Sequence, residues 1–241
     1  MSVQIVAEVA SNHGGKIALA LEFIQRFAGA GADIIKFQLT RVKHLSPDDP
    51  QYQWFTKVEL HPLAVDAIIE GCAAASVEPL FTLNNAADVP ELKSRGLRSV
   101  KVGSGESLDK KLAHAICEWQ PERVYISTGL QRMHERYSKD FGEEQLLRLA
   151  CITRYPAPSG LAAVVYRSEP TFRGWSDHAV GLQECEAAII VGARVIEKHV
   201  WLPNQARPIS SWEASARDIA ELRRFADDNA RERFVGRWQY A

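Results

Sequence analysis

The sequence predicts a single (β/α)8 TIM-type barrel, and the expectation rests on alternation, strand endings and length. Eight short apolar runs alternate with stretches of helical period, and each run ends in polar or small residues. Such alternation builds a parallel sheet covered by helices, and polar groups at every strand end place a site at the carboxyl-terminal face of a barrel. An open doubly wound sheet would instead concentrate them at one switch point. With 241 residues, 46% hydrophobic and 24% charged, the chain suits one domain covering residues 1–241.

The first strand is read over Val3–Ala10, with Glu8 inside an otherwise apolar run. A carboxylate there is costly unless paired, so it is expected to face the lumen near the mouth. Ser11 to Gly15 turns the chain into a helix from Lys16 to Gly29, with Ala18, Leu21, Ile24 and Phe27 inward. The second strand, Ala32–Gln38, carries Lys36 and Gln38, which alternation sends to one face. Leu39 to Glu59 is a long insert with Pro47, Pro50, Tyr52, Trp54 and Phe55, read as a lid-like loop. His61-Pro62 opens the next helix, with Leu63, Val65, Ile68 and Ile69 inward. His44 and His61 read as surface or capping residues.

Glu78–Leu83 is the third strand and Arg98–Glu106 the fourth. In the fourth, Lys101 precedes a Gly103-Ser104-Gly105 turn whose backbone N–H groups suit an anion. The fifth strand ends Ser127-Thr128-Gly129. The sixth spans Leu146–Thr153 and leads into Tyr155-Pro156. Neither turn matches a dinucleotide fingerprint or a P-loop. The seventh strand ends Gly174-Trp175-Ser176-Asp177-His178 and the eighth is Val195-Ile196-Glu197-Lys198-His199, with a helix read between Ala179 and Gly192. Both imidazoles are thereby expected at one mouth, flanked by Asp177, Glu197 and Lys198, as a metal or acid-base site. A final helix is read from Trp212 to Asn229, followed by a short basic-aromatic tail.

Composition narrows the function classes. A formal net charge of -1 gives no reason to expect nucleic acid, and no apolar run approaches the roughly 18 residues that span a bilayer. Cys72, Cys117, Cys151 and Cys185 are widely spaced in apolar surroundings, and no secretion signal is read at the N-terminus, which points to a reducing cytoplasm. Lys36, Lys101 with Ser104, and Ser127 are candidate phosphate seats, with Ser176 beside them. Two neutral imidazoles with oxygen ligands from Glu8 or Gln38 suit Mn²⁺, Zn²⁺ or Fe²⁺ better than Mg²⁺. A phosphorylated substrate with a metal-polarised carbonyl follows from that pairing.

Ala7 to Gly15, Lys36-Phe37-Gln38, Lys101 to Glu106, Ser127-Thr128-Gly129, Tyr155-Pro156, Ser176-Asp177-His178 and Glu197-Lys198-His199 stand in the order found in the sialic acid synthases. The chain resembles that family over nearly its whole length. The resemblance implies condensation of phosphoenolpyruvate with a sugar aldehyde such as N-acetylmannosamine, giving a nonulosonic acid and phosphate with Mn²⁺. Carried onto this sequence, it implies His178 and His199 as metal ligands. Lys36, Lys101, Ser104, Ser127 and Ser176 become phosphoenolpyruvate contacts. Glu8, Gln38, Glu106 and Tyr155 become groups at the sugar or the reacting centre.

Some features depart from the family pattern. An aspartate expected after the second histidine is absent from Arg207-Pro208-Ile209-Ser210-Ser211, Thr153 stands for an asparagine, and Ala150 for a histidine. The segment between Pro158 and Phe172 is shorter than usual. The family's C-terminal antifreeze-like domain, which lends an arginine to a partner subunit in a homodimer, is not expected, because the sequence ends after the eighth helix. Two other functions stay open: another metal-dependent barrel enzyme acting on a phosphorylated sugar, and a non-catalytic sugar-binding relative.

Overall fold

The computed structural model describes residues 2–129 and 132–238, the side chains through residue 230. Eight parallel strands close in sequence order into a barrel: β1 (Gln4–Ala10), β2 (Ile34–Leu39), β3 (Glu78–Leu83), β4 (Ser99–Val102), β5 (Arg123–Thr128), β6 (Leu146–Cys151), β7 (Phe172–Asp177) and β8 (Val195–His199). The seam pairs β1 with β8, setting Glu8 opposite His199. The helices outside are α1 (Ile17–Gly29), α2 (Tyr52–Val58), α3 (Pro62–Ala74), α4 (Val89–Ser94), α5 (Lys110–Trp119), α6 (Glu135–Asp140), α7 (Ala162–Arg167), α8 (Gln183–Ile190) and α9 (Ala216–Trp238). No helix among the described residues is long and apolar enough to cross a membrane.

Strand alternation divides the core in two. Val6, Ile34, Leu80, Tyr125, Leu147, Leu149 and Val195 fill the lumen, while Ile5, Ala7, Ile35, Phe37, Phe81, Val100 and Ile196 meet the helices. Each large apolar side chain buried this way contributes roughly 1.5–3 kcal/mol relative to exposure. Gly174 is required here. A Cβ on it would lie 2.5 Å from the Val195 carbonyl oxygen and 3.1 Å from Leu149, so only glycine lets the plug close between β6 and β8. Above this apolar floor, the next inward residues are the polar ones, so the floor forces the site to the mouth.

Several helix readings shift. In α1 the buried face is Leu19, Ala20, Phe23, Ile24 and Phe27, and Ala18 is exposed: a spacing of three drifts off a face that turns every 3.6 residues. Leu63 is exposed as well, one position off the face that buries Ala64, Val65, Ile68 and Cys72 in α3. The helix read from Ala179 starts only at Gln183. Gly181 holds a positive φ, Ala179 bridges Ala157, and Val180 and Ile190 are exposed. β4 stops at Val102, and Gly103 to Glu106 is the turn. The tail expected after Asn229 continues as α9 to Trp238, and residues 239–241 lie outside the described ones.

The insert after β2 is not a plain loop. It holds a 3-10 turn at Val42–His44 and the helix α2. Its root is fixed by buried Arg41, which donates to Glu91 and to the Leu60 carbonyl. His44 pairs with buried Asp88 at 3.2 Å, so it is not the simple surface residue expected. His61 caps α3 as expected, accepting from Leu63 N.

Candidate active site

The mouth is built by residues two apart on the strands, because alternation points every second side chain inward. Glu8 and Lys36 face each other in register on β1 and β2. A register shift in the β1–β2 pairing follows at once, between Glu8 and Ala10, and Ala10 takes a left-handed φ of 52°. Bulges of this kind re-aim chains beside sites. The turn beyond it holds Asn12 and His13, both buried.

Four charges meet at the centre. The Lys36 ammonium contacts the Glu8 carboxylate and lies 2.8 Å from Glu197. Lys101 donates to Ser127 Oγ at 2.7 Å and to its neighbour Val102's carbonyl at 2.9 Å, and stands 4.0 Å from Glu197. Ser176 donates to Glu197 at 2.8 Å. Burial lowers the Lys36 pKa to about 7, with Glu197 opposing the shift and Lys101 adding to it. For Glu197, burial favours the neutral acid, yet Lys101 and Lys36 outweigh it and hold the carboxyl below its usual range. One oxygen of Glu8, Oε1, is buried with no hydrogen-bond partner, and so is the Thr82 hydroxyl, which is paired in register with Lys101. Buried polar atoms left this way are uncommon and point into space that a polar ligand can fill.

Beside this cluster lies the turn after β4. Glu106 folds back over Gly103, where a Cβ would sit 2.5 Å from its carboxylate. Burial raises its pKa. Ser104, Gly105, Gly129, Cys151 and Thr153 line a cavity of about 530 Å³ whose outer wall is Leu161 and Val165. Gln38 stands half-buried at the end of β2, opposite Thr82 in register.

The imidazoles of His178 and His199 stand 5.5 Å apart between ring centroids. His178 Nδ1 bonds the Ile152 carbonyl at 2.7 Å, so that nitrogen carries the proton and Nε2 presents its lone pair, 3.1 Å from the Tyr155 hydroxyl. Burial lowers the pKa of both rings, and for His199 the neighbouring His178 and Lys36 lower it further. His199 Nδ1 is buried without a partner. Two neutral imidazoles, one oriented through its second nitrogen by a backbone carbonyl, fit the ligand chemistry of a divalent metal. No group of three or more His, Cys, Asp or Glu residues suited to a metal occurs among the described residues.

Two expected neighbours are not there. Asp177 and Lys198 point outward: they pair with each other behind the strands, where Asp177 also accepts from Trp175 Nε1 and Lys198 donates to the Ala179 carbonyl. Their parity is opposite to that of the histidines beside them. Conversely, Glu197 is central, a position that its spacing of two from His199 foretells. Thr82 carries no motif in the sequence, and only its register with Lys101 brings it in.

The loop after β8 closes the far side. Buried Glu213 accepts from Asn12 at 2.7 Å, Arg207 at 2.7 Å and Ser210 N at 2.7 Å, and Arg207 Nε donates to Asn12 Oδ1 at 2.6 Å. This carboxylate lies beyond the stretch where the sequence lacks an aspartate, and it is committed to holding the loop. Trp212 meets Tyr155 edge-on, at 5.7 Å between centroids.

A family model described as the NeuB family matches residues 23–232. The chain belongs to the NeuB family. It is 29% identical over 225 residues to the N,N'-diacetyllegionaminic acid synthase of Campylobacter jejuni, covering 82% of this chain and 67% of that one. It is 26% identical over 234 residues to the N-acetylneuraminate-9-phosphate synthase of Drosophila melanogaster, covering 83% and 60%. This NeuB-family chain thus spans roughly two thirds of the length of the curated relatives it matches, or less. In structure it resembles the N-acetylneuraminic acid synthetase of Leptospira borgpetersenii, solved with citrate, with a TM-score of 0.85 at 24% identity over 95% of this chain and 84% of that one. The fold is the one the sequence predicts.

Proposed function

We propose that the protein is a phosphoenolpyruvate-dependent synthase that joins the enol to a sugar aldehyde and releases inorganic phosphate, forming a nonulosonic or related 3-deoxy sugar acid. The observation that carries this reading is the Lys36–Lys101–Ser127 cluster beside two neutral imidazoles, within a family whose relatives are named as acid synthases. Two ammonium groups and small hydroxyls suit a phosphate and a carboxylate on one small molecule. The cytoplasm fits four unpaired, buried cysteines.

In this reading Lys36, Lys101, Ser104, Ser127 and Ser176 hold phosphoenolpyruvate, and C3 of its enol attacks the aldehyde carbon. The aldehyde oxygen takes up a proton as the C–C bond forms, leaving C2 cationic. Water adds to C2 and loses a proton, and breaking the C2–O bond then frees phosphate and leaves a ketone. A divalent metal held by His178 and His199, which we take to be Mn²⁺, supplies a Lewis acid for the aldehyde. Glu8 faces the lumen with a free oxygen and orients the water, while Lys36, in contact with Glu8 and lowered by burial to about 7, exchanges its proton. Gln38, Glu106 and Tyr155 bound the acceptor side.

The test is phosphate release from phosphoenolpyruvate with Mn²⁺ across a panel of acetamido-aldoses. Acceptor-dependent release with a new C–C bond in the product supports the synthase. Release without an acceptor, or none with any acceptor, rejects it.

A further inference from the structure

The β8 loop presents an indole to the mouth that the reaction above does not use. Trp212 is half-buried, yet the chain beneath it is locked. Glu213 next to it is buried in the web of Asn12, Arg207 and Ser210, and Ala214 N donates to the His199 carbonyl at 2.8 Å. The backbone that carries the indole is thus held in place. It stands edge-on to Tyr155, which is 50% exposed and whose ring lies 4.2 Å from His178 and 5.9 Å from His199 between centroids. The two aromatics make a corner beside the imidazole pair.

We infer that Trp212, with Tyr155, is a stacking wall for the acceptor, and that it selects an uncharged acylamido sugar over a phosphorylated one. This rests on the synthase reading above and extends it to the class of acceptor. An acylamido sugar offers an apolar C–H face to an aromatic ring, and its aldehyde end would then lie at the histidines. An aromatic corner gives nothing to a terminal phosphate. Arg207, the guanidinium held on the same loop, is already paired with Glu213 at 2.7 Å. Phosphoenolpyruvate, as an anion, belongs at the lysines, so the two substrates divide the mouth by charge.

The experiment uses the full chain with diamagnetic Mg²⁺ and three probes: N-acetylmannosamine, a 2,4-diacetamido hexose and N-acetylmannosamine 6-phosphate. Ligand NMR reads ring-current shifts, and steady-state assays with Mn²⁺ read KM. At least one uncharged probe should show upfield shifts of its ring protons and bind more tightly than the 6-phosphate. Trp212→Leu should abolish those shifts and raise the acceptor KM roughly tenfold, with phosphoenolpyruvate affinity unchanged, while Trp212→Phe should keep most of both. Tighter binding of the 6-phosphate, no binding of any probe, or a Trp212→Leu protein with wild-type acceptor affinity overturns the inference. Stacking without phosphate release would leave the wall standing and reject the synthase. Turnover unaffected by Trp212→Leu would do the reverse.

Discussion

Lys36 lies 2.8 Å from Glu197, and this contact joins the first quarter of the chain to the last strand at the centre of the mouth. Burial has brought the lysine to about 7, so it changes charge within the working range of an enzyme. Protonated Lys36 attracts an anion and neutral Lys36 does not. The kcat/KM for phosphoenolpyruvate should therefore fall as pH rises through about 7. Lys36→Arg, charged throughout, should lack that limb, and comparing the two profiles cancels the titration of the substrate itself. Identical limbs in both proteins would remove Lys36 from this role.

The two histidines make a separate prediction. Each of His178→Ala and His199→Ala should lose Mn²⁺ retention, read by electron paramagnetic resonance, with thermal unfolding of the metal-free protein little changed. Both rings sit above the packed floor of Val6, Leu149 and Val195 rather than within it. Unchanged Mn²⁺ affinity in either variant would make that histidine a strand-end cap.

Lys101 is tied to Ser127 and so is aimed rather than free. Lys101→Ala should weaken phosphoenolpyruvate by roughly tenfold to a hundredfold, the scale of a charge-assisted contact worth about 1.5–3 kcal/mol. Calorimetry should find acceptor binding nearly unaltered. An equal loss for both substrates would indicate general damage to the mouth.

His13 links the site's scaffold to stability. Burial lowers its pKa from 6.5 to about 4, and its Nδ1 accepts from Gly15 N at 3.0 Å. Between those values the unfolded chain binds a proton that the folded chain does not. Stability must therefore fall as pH drops from 6.5 toward 4, by on the order of 3 kcal/mol from this residue. Urea unfolding at pH 7 and pH 4.5 should show a smaller acid loss for His13→Asn than for wild type. Equal losses would show that His13 is protonated in the fold.

Much of this site is legible in the sequence because strands obey a period of two. Lys36 with Gln38, Ser176 with His178, and Glu197 with His199 fall on one face by counting alone. The same count sends Asp177 and Lys198 outward, although adjacency to the histidines suggests flanking groups. Trp212 and Glu213 escape such counting. Their loop has no period, and its path is set by Asn12, some 200 positions earlier in the chain. The helix α2 escapes for a related reason: it has only seven residues, and its end is shaped by contact with Gly15, where a Cβ would lie 2.9 Å from the Lys57 carbonyl oxygen. Short helices owe their existence to what they pack on.

The seam between β1 and β8 has a consequence for how the molecule is made. Glu8 emerges with the first strand and His199, its partner in register, with the last. The web of Asn12, Arg207 and Glu213 ties the same two ends of the chain together. During synthesis the growing chain can stack its early strand–helix units, but the sheet keeps two open edges until residue 199 is free to pair. Loop closure over nearly the whole sequence is slow, and exposed edges invite association with other chains until it is complete. A nascent chain released before β8 would carry both lysines and His178 but lack Glu197 and His199. The two sides of the mouth thus meet only at barrel closure.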